Sequence, residues 1–181
     1  MRRDNDTYYT LQADAAIDAL LEYVPCLNGY IFEPCVGAGH LVEALKNRDC
    51  GPIITNDIDQ AVEANCHSDA RNFKIIEIEQ PWDWVITNPP FSQAFPILKN
   101  LLLSARQGVA FLLRLTFLEP TYERGPWLEA HPPDLLIVLP RFSFTGDGRT
   151  DSVTCAWMVW YSKTHAVRDA HIGIRVYPKE K

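Results

Sequence analysis

The strongest chemical signal in this 181-residue sequence is the tetrapeptide Asn88, Pro89, Pro90 and Phe91, which directly follows the apolar run 84–86. A Pro-Pro pair cannot continue a helix and has no N–H groups for a central strand, so it predicts a stiff turn with outward-facing carbonyls. The Asn88 side chain and the Pro89 carbonyl can each accept a hydrogen bond from an NH₂ group, and Phe91 offers a ring face for stacking. These residue types suit a site that holds a planar group carrying an amine. The tetrapeptide also fits an ordinary strand-ending turn.

A second signal lies about fifty residues upstream, where the apolar segment 29–34 predicts a buried strand. Gly37 and Gly39 follow it, and their freedom at positive φ lets a backbone turn sharply and approach a ligand closely. Another short strand then leads to Asp57, about 20 residues after Gly37, where nucleotide-binding folds place an acid on ribose hydroxyls. Asp57 could instead cap a helix that begins near Asp59.

Taken together, these residues resemble the class I methyltransferases that use S-adenosylmethionine, and within them the N6-adenine DNA methyltransferases. The glycine motif spans Glu33 to His40, the ribose motif Thr55 to Asp59 and the catalytic motif Thr87 to Phe91, and the resemblance covers roughly residues 7 to 161. It implies S-adenosylmethionine as cofactor, S-adenosylhomocysteine as product and catalysis by Asn88, Pro89, Pro90 and Phe91. The implied cofactor-binding residues are Thr10, Glu33, Pro34, Gly37, Gly39, Asp57, Ile58, Asp69 and Asn88.

Two of these assignments are specific to the family pattern. Asp69, within Ser68 to Ala70, matches the acid that contacts the cofactor's adenine. Thr10 matches a residue near the cofactor's methionine end, although Leu11 stands where the family usually has proline.

The resemblance implies transfer of a methyl group to the N6 amine of adenine in DNA, with the base flipped into the Asn-Pro-Pro-Phe pocket. The small phage-encoded or mobile-element enzymes are the most similar group, partly through the loop near residues 143 to 152. No separate target-recognition domain is expected, so specificity is low, or the loop reads the site, or a partner supplies recognition. The candidate substrate-binding residues in that loop are Arg141, Phe142, Phe144 and Arg149. A mobile, merely solvated loop is the competing interpretation.

Three other functions stay open. An N5-glutamine protein methyltransferase uses a very similar grip on a side-chain amide, but the helical domain that usually precedes its core is not expected here. An RNA adenine or guanine methyltransferase uses the same motif. A catalytically inactive, methyltransferase-like binding subunit is the non-enzyme alternative, and intact Gly37, Asp57 and Asn88 argue against it.

Composition indicates one enzyme-like domain over 1–181, with a core at about 7–161 and a C-terminal tail at 162–181. The sequence is 47% hydrophobic and 22% charged, and it lacks an uncharged apolar stretch of the ~20 residues that span a bilayer. Five cysteines without CxxC spacing indicate neither a disulfide framework nor a zinc cluster, and no metal is expected. The cytoplasm of a bacterial or phage-infected cell fits best.

Charge sets a limit on the DNA hypothesis. Seventeen Lys and Arg against 23 Asp and Glu give a net charge of −6, so nonspecific affinity for DNA is expected to be weak. Whether the chain forms a homodimer or uses a recognition partner stays open.

The elements that must position these residues alternate between strand and helix. Apolar spacing predicts a first helix over 11–24, a later helix from Ser92 through Leu102 that closes near Gly108 with Pro96 in its first turn, and helices between the first three strands. The predicted strands are 30–34, 52–56, 73–78, 82–87, 109–115, 134–139 and 153–161. This order predicts an α/β fold: a doubly wound, mostly parallel, Rossmann-like sheet of seven strands whose final strand is antiparallel. In the family fold the first and fourth strands pair, which would make the glycine loop and the Asn88 turn neighbours.

Overall fold

The computed structural model describes residues 12–25, 27–73, 82–140, 153–162 and 173–176. Within these ranges the chain forms one seven-stranded sheet with helices on both faces. The strands are β1 (Ile31–Glu33), β2 (Ile53–Thr55), β3 (Trp84–Thr87), β4 (Gly108–Arg114), β5 (Leu135–Val138), β6 (Cys155–Tyr161) and β7 (Gly173–Val176). The helices are α1 (Ala13–Tyr23), α2 (His40–Lys46), α3 (Ala94–Leu101) and α4 (Arg124–Ala130), with a short 3₁₀ helix at Leu115–Leu118.

The sheet has the strand order β2-β1-β3-β4-β6-β5-β7. Strands β2, β1, β3 and β4 are mutually parallel, and β7 is parallel to β5. Only β6 runs against its neighbours β4 and β5 among the described strands. The predicted α/β, mostly parallel, doubly wound sheet is confirmed, as is the pairing of the first strand with the strand at 84–87.

Each central strand is buried on both faces, as expected for a parallel sheet covered by helices. Successive side chains point to opposite faces, so Ile31 packs with α1 and α2 on one side while Phe32 packs with α3 on the other. The buried Trp157 of β6 also donates a hydrogen bond from its indole nitrogen to the Ala16 carbonyl of α1, at 2.7 Å. This bond fixes the first helix against the sheet.

Several element predictions need correction. No helix forms between 56 and 73, because Asp and Asn side chains there accept backbone hydrogen bonds that a helix would use. Ser92 does not cap α3, whose N-cap is Gln93 without a side-chain capping bond, although Pro96 lies in the first turn as predicted. Strand β6 is antiparallel but not final, since β7 adds an edge strand from the segment assigned to the tail.

Other predictions lie outside the described residues. These are most of the strand expected at 73–78 and the hairpin-like segment near 141–151. None of the helices within the described ranges has the length and apolar character needed to cross a membrane.

Candidate active site

An open cleft of about 1300 Å³ lies at the edge of the sheet where β1, β2 and β3 end. Because these strands are parallel neighbours, the segments that leave their carboxyl ends meet at one edge, which is the usual ligand position in such sheets. The cleft brings together most of the predicted site residues: Glu33, Pro34, Gly37, Gly39, Asp57, Ile58, Asp69, Asn88 and Pro90. Pro89 and Phe91 are not part of its lining.

The loop after β1 depends on two glycines. Gly37 has a φ of 51° and Gly39, the residue before α2, has a φ of 80°, which side-chain-bearing residues rarely adopt. A Cβ built on either glycine would meet no other atom within 4 Å, so open space lies directly beside this backbone. A side chain would intrude into that space, whereas glycine leaves it for a ligand.

Asp57 is held firmly at the end of β2. Its Oδ2 accepts a hydrogen bond from the Gly37 N–H at 2.8 Å, and its Oδ1 accepts one from the Asp59 N–H at 2.9 Å. It therefore joins the glycine loop to the second strand and does not cap a helix. Each carboxylate oxygen keeps further acceptor capacity, so Asp57 can bind hydroxyl groups in a fixed orientation.

Ile58 follows Asp57 at the cleft surface and is 66% exposed. An exposed aliphatic side chain beside fixed acceptors suits one face of a flat heteroaromatic ring. The role of Ile58 in cofactor binding stays a prediction.

Asn56 lies within the predicted ribose motif, and the structure gives it a structural role that the motif alone did not indicate. Its buried side chain donates to the carbonyls of Pro34 and Ser68, both at 2.9 Å, and accepts from the Ser68 N–H at 2.8 Å. It thereby joins the loop after β1 to the segment that carries Asp69. The available signal was a polar residue placed directly between a strand and Asp57.

Glu33 is a fully buried carboxyl group at the end of β1. Burial is the main cause that raises its pKa from 4.5 to about 8, and the negative charge of Asp57 adds to the rise. The nearby Thr87 hydroxyl and the Cys35 N–H favour the ionised form and partly offset this. Cys35 donates to Oε1 at 3.1 Å, whereas Oε2 has no hydrogen-bond partner among the described residues. A buried oxygen of Glu33 beside the cleft thus keeps unused hydrogen-bonding capacity.

Asp69 also lines the cleft and is bound by Arg71. The Arg71 side chain contacts both oxygens of Asp69, and these hydrogen bonds are the main cause that lowers the pKa of Asp69. Asp69 therefore stays an ionised acceptor. Arg71 belongs to none of the predicted motifs.

The Pro-Pro turn lies at the end of β3 as predicted. Asn88 and Pro90 are partly exposed toward the cleft, whereas Pro89 is buried. The Gln93 N–H donates to the Pro90 carbonyl at 2.8 Å and closes the turn against the start of α3. The closed turn therefore holds the Asn88 side chain in a defined position at the cleft.

Phe91 packs partly buried against the apolar clusters on both faces of the sheet. The guanidinium of Arg114, the last residue of β4, lies over its ring at 4.5 Å from the centroid. This is a cation–π contact, and it covers one ring face. Nothing in the local sequence links Arg114 to a ring 23 positions earlier.

Charge in the cleft favours a cation. Six of its lining residues are Asp or Glu, and two, Lys46 and Arg71, are basic. The net negative lining fits a sulfonium group, and the open glycine cradle and the buried Glu33 acceptor fit a ligand with hydroxyl and ammonium groups. Among the described residues no group of three or more His, Cys, Asp and Glu side chains could hold a metal ion.

Five predicted site residues lie outside the described residues. They are Thr10 of the cofactor set and Arg141, Phe142, Phe144 and Arg149 of the substrate set. Their roles stay predictions.

No family model and no curated protein matches the sequence. Solved structures match its backbone. A Listeria monocytogenes protein assigned to the class I S-adenosylmethionine-dependent methyltransferases has a TM-score of 0.67 and 12% identity, covering 96% of this chain and 67% of that chain. The fold is that of the class I methyltransferases.

Two further proteins with this fold carry different descriptions. A Pyrococcus horikoshii protein assigned as an RNA methyltransferase has a TM-score of 0.61 and 15% identity, over 87% of each chain. The M protein of the type I restriction enzyme EcoKI has a TM-score of 0.59 and 14% identity, over 89% of this chain. This chain spans 45% of that M protein.

Proposed function

We propose that this protein transfers a methyl group from S-adenosylmethionine to the exocyclic N6 amine of adenine in DNA. One observation carries the proposal. A glycine loop, a fixed acid at Asp57 and the turn residues Asn88 and Pro90 line the same cleft, at the edge of the sheet where β1, β2 and β3 end. The first two suit the cofactor and the third suits the amine.

The cofactor would lie along the loop after β1. Asp57 would accept hydrogen bonds from the ribose hydroxyls, Ile58 would cover one face of the adenine and Asp69 would accept from its amine. Glu33 and Pro34 would lie near the methionine end, where the charge of the ammonium group would favour the ionised Glu33 carboxyl and Oε2 would then accept from it. When bound, the cofactor supplies an activated methyl group on a positively charged sulfur.

The target amine would lie at the Pro-Pro turn. The N6 lone pair of adenine is delocalised into the ring, so the amine is a poor nucleophile. The Asn88 side chain and the Pro89 carbonyl would each accept a hydrogen bond from the amine and thereby localise its lone pair toward the methyl group, while Phe91 holds the ring. The N–CH₃ bond would form as the S–CH₃ bond breaks, and the surplus proton on the nitrogen would pass to solvent water. The rate gain comes from positioning and from preorganised dipoles, and no strong base is required.

DNA is the substrate we favour because the Asn-Pro-Pro-Phe turn resembles that of the N6-adenine enzymes, and a type I restriction M protein shares the fold. RNA is the second candidate, because the protein assigned as an RNA methyltransferase matches over 87% of both chains. Incubation with labelled S-adenosylmethionine and DNA, RNA or protein, followed by mass spectrometry of nucleosides and amino acids, separates them. We expect N6-methyladenine in DNA, and label only in RNA or on glutamine would refute this substrate.

The cofactor part of the proposal has its own test. Asp57→Ala should weaken S-adenosylmethionine binding by about 1.5–3 kcal/mol, the usual range for hydrogen bonds to a charged group. Calorimetry on the folded variant measures this, with Glu129→Ala, a change at an exposed acid of α4 that does not line the cleft, as the control. Unchanged affinity in Asp57→Ala would remove Asp57 from the cofactor site.

A further inference from the structure

Arg71 makes a dense set of hydrogen bonds to Asp69. Its N–H and Nε each donate to Asp69 Oδ1 at 2.9 Å, Nε also lies 2.9 Å from Oδ2, and Nη2 donates to Oδ2 at 2.5 Å. The remaining arm of the fork points elsewhere: Nη1 donates to the side-chain oxygen of Gln93 at 3.2 Å. One guanidinium therefore joins two segments that are 22 positions apart in the chain.

Gln93 lies at the joint between the Pro-Pro turn and α3. Its N–H donates to the Pro90 carbonyl at 2.8 Å, and its carbonyl accepts from the Ile97 N–H at 3.1 Å. A continuous hydrogen-bonded chain thus runs from Asp69 through Arg71 and Gln93 to Pro90. Asp69, Arg71, Gln93 and Pro90 all line the cleft.

We propose that Arg71 is a positioning residue that couples the purine end of the cofactor subsite, at Asp69, to the turn that holds the target amine. The inference rests on the proposed function, because it assumes that a cofactor's adenine meets Asp69. Binding at Asp69 restrains its carboxylate, and Arg71 transmits that restraint to Gln93 and the turn. Cofactor binding thereby orders the turn before the substrate arrives.

Two features of the pair favour this role over a purely structural one. The side chains of Arg71 and Asp69 are 44% and 29% exposed, and ion pairs at such positions contribute little to folding stability. The bridge also needs the planar guanidinium fork, because a lysine ammonium cannot hold a carboxylate bidentately while reaching a second acceptor. Loss of the bridge should therefore change the site more than the stability of the protein.

The experiment measures hydrogen–deuterium exchange of the full chain with and without saturating S-adenosylhomocysteine. In the wild type we expect slower exchange both in the glycine-loop peptide 35–46 and in the turn peptide 88–101. Arg71→Ala and Gln93→Ala should keep the protection of the glycine loop and lose about half or more of the protection of the turn. Arg106→Ala, which removes an arginine that is 60% exposed and paired with Asp83 away from the cleft lining, should behave as the wild type.

Two further variants sharpen the result. Arg71→Lys should fail to restore protection of the turn, whereas Gln93→Glu should retain it, because a charged acceptor strengthens the bond to Arg71. Arg71→Ala should also weaken S-adenosylhomocysteine binding by only about two- to fivefold, the range for a partly exposed pair. Gln93→Ala should leave that affinity unchanged.

The outcomes are distinguishable. Full protection of the turn in saturated Arg71→Ala would overturn the coupling while leaving the proposed function in place. A wild-type protein that binds no S-adenosylhomocysteine would overturn both. Turn protection lost in Arg71→Ala and Gln93→Ala, but kept in Gln93→Glu, supports the coupling.

Discussion

Glu33 gives the site a pH dependence that can be measured without substrate. Its pKa is about 8 in the folded protein against an ordinary value of 4.5, so the folded state binds this proton more tightly than the unfolded state. The contribution of Glu33 to the free energy of unfolding is fully present below its pKa in the unfolded state. It is lost as the pH rises toward 8, by up to about 1.4 kcal/mol per pH unit. Glu33→Gln should flatten the stability curve between about pH 5 and pH 8.

Urea unfolding at both pH values measures this effect. Glu129→Gln, a change at an exposed residue of α4, serves as the control and should leave the pH dependence intact. An unaltered slope in Glu33→Gln would mean that the carboxyl group is ionised in the folded protein. If a cofactor ammonium group lies beside Glu33, its charge lowers the pKa, and calorimetry in two buffers at pH 7 should detect proton release on cofactor binding.

Asn88 and Phe91 should have separable effects on turnover. In the proposed mechanism Asn88→Ala removes an acceptor that acts on the amine in the transition state, so kcat should fall by about 100-fold or more with little change in cofactor affinity. Phe91→Ala should mainly raise KM for the substrate, because stacking holds the base before reaction. Steady-state kinetics with calorimetry of cofactor binding distinguish the two, and equal loss of cofactor affinity in both variants would make the turn purely structural.

The helix pair α1 and α2 is held by Arg48, which follows α2. Its guanidinium donates to the carboxylates of Asp14 and Asp18 at 2.6–2.8 Å and to the carbonyls of Asp14 and Ala44 at 3.2 and 2.9 Å. The two carboxylates are more than half exposed, so solvent screening leaves each ion pair worth less than about 1 kcal/mol.

Arg48→Ala should therefore lower the free energy of unfolding by about 1–2 kcal/mol at pH 7, with the carbonyl bonds supplying part of the loss. The hydrogen bond from Arg48 lowers the pKa of Asp18, so its contribution is present at neutral pH and disappears as the pH falls through the acidic range. Chemical denaturation at neutral and at acidic pH checks this. Arg106→Ala should lower the free energy of unfolding by less, because it removes one ion pair at 3.9 Å. A loss in Arg48→Ala no larger than that in Arg106→Ala would contradict the proposed role of Arg48 in holding α1 against α2.

Among the secondary-structure elements, the sequence predicted those that are buried and therefore consist of a run of apolar residues. Strands β1, β3, β4 and β6 are buried on both faces, so hydrophobic residues mark them in the sequence. Helix α4 has no buried residue and β7 is four residues long, so neither has a strong pattern. The helix predicted after β2 does not form, because Asp and Asn side chains in that segment accept hydrogen bonds from nearby backbone N–H groups.

The position of the candidate cleft was predictable where its residues directly follow recognisable strands. Gly37, Gly39 and Asp57 each lie at the end of a recognisable strand, and parallel pairing then brings the two segments together. The contacts of Arg71 with Gln93 and of Arg114 with Phe91 join positions more than twenty residues apart on surfaces that only packing defines. A single sequence contains no signal for such pairs.

For the whole molecule, net charge is the property that bears most directly on substrate. At −6 the protein repels a phosphate backbone at long range, so the proposed binding to DNA would depend on local positive charge. The cleft lining is itself mainly acidic, which suits the cofactor and not the nucleic acid backbone. Arg141 and Arg149, with the intervening Phe142 and Phe144, are the predicted source of local contact.

Replacing Arg141 and Arg149 together by alanine should reduce methylation of DNA, lower the log–log slope of its salt dependence by about one to two, and leave cofactor affinity unchanged. Replacing Phe142 or Phe144 should cost about 1–3 kcal/mol of DNA affinity if a base stacks there. Arg106→Ala is the matched control for loss of positive charge, since Arg106 is exposed and does not line the cleft. Loss of two phosphate contacts changes the log–log slope of the salt dependence, whereas a general loss of folding does not. Reduced activity with an unchanged slope would therefore assign DNA contact to another surface of the protein.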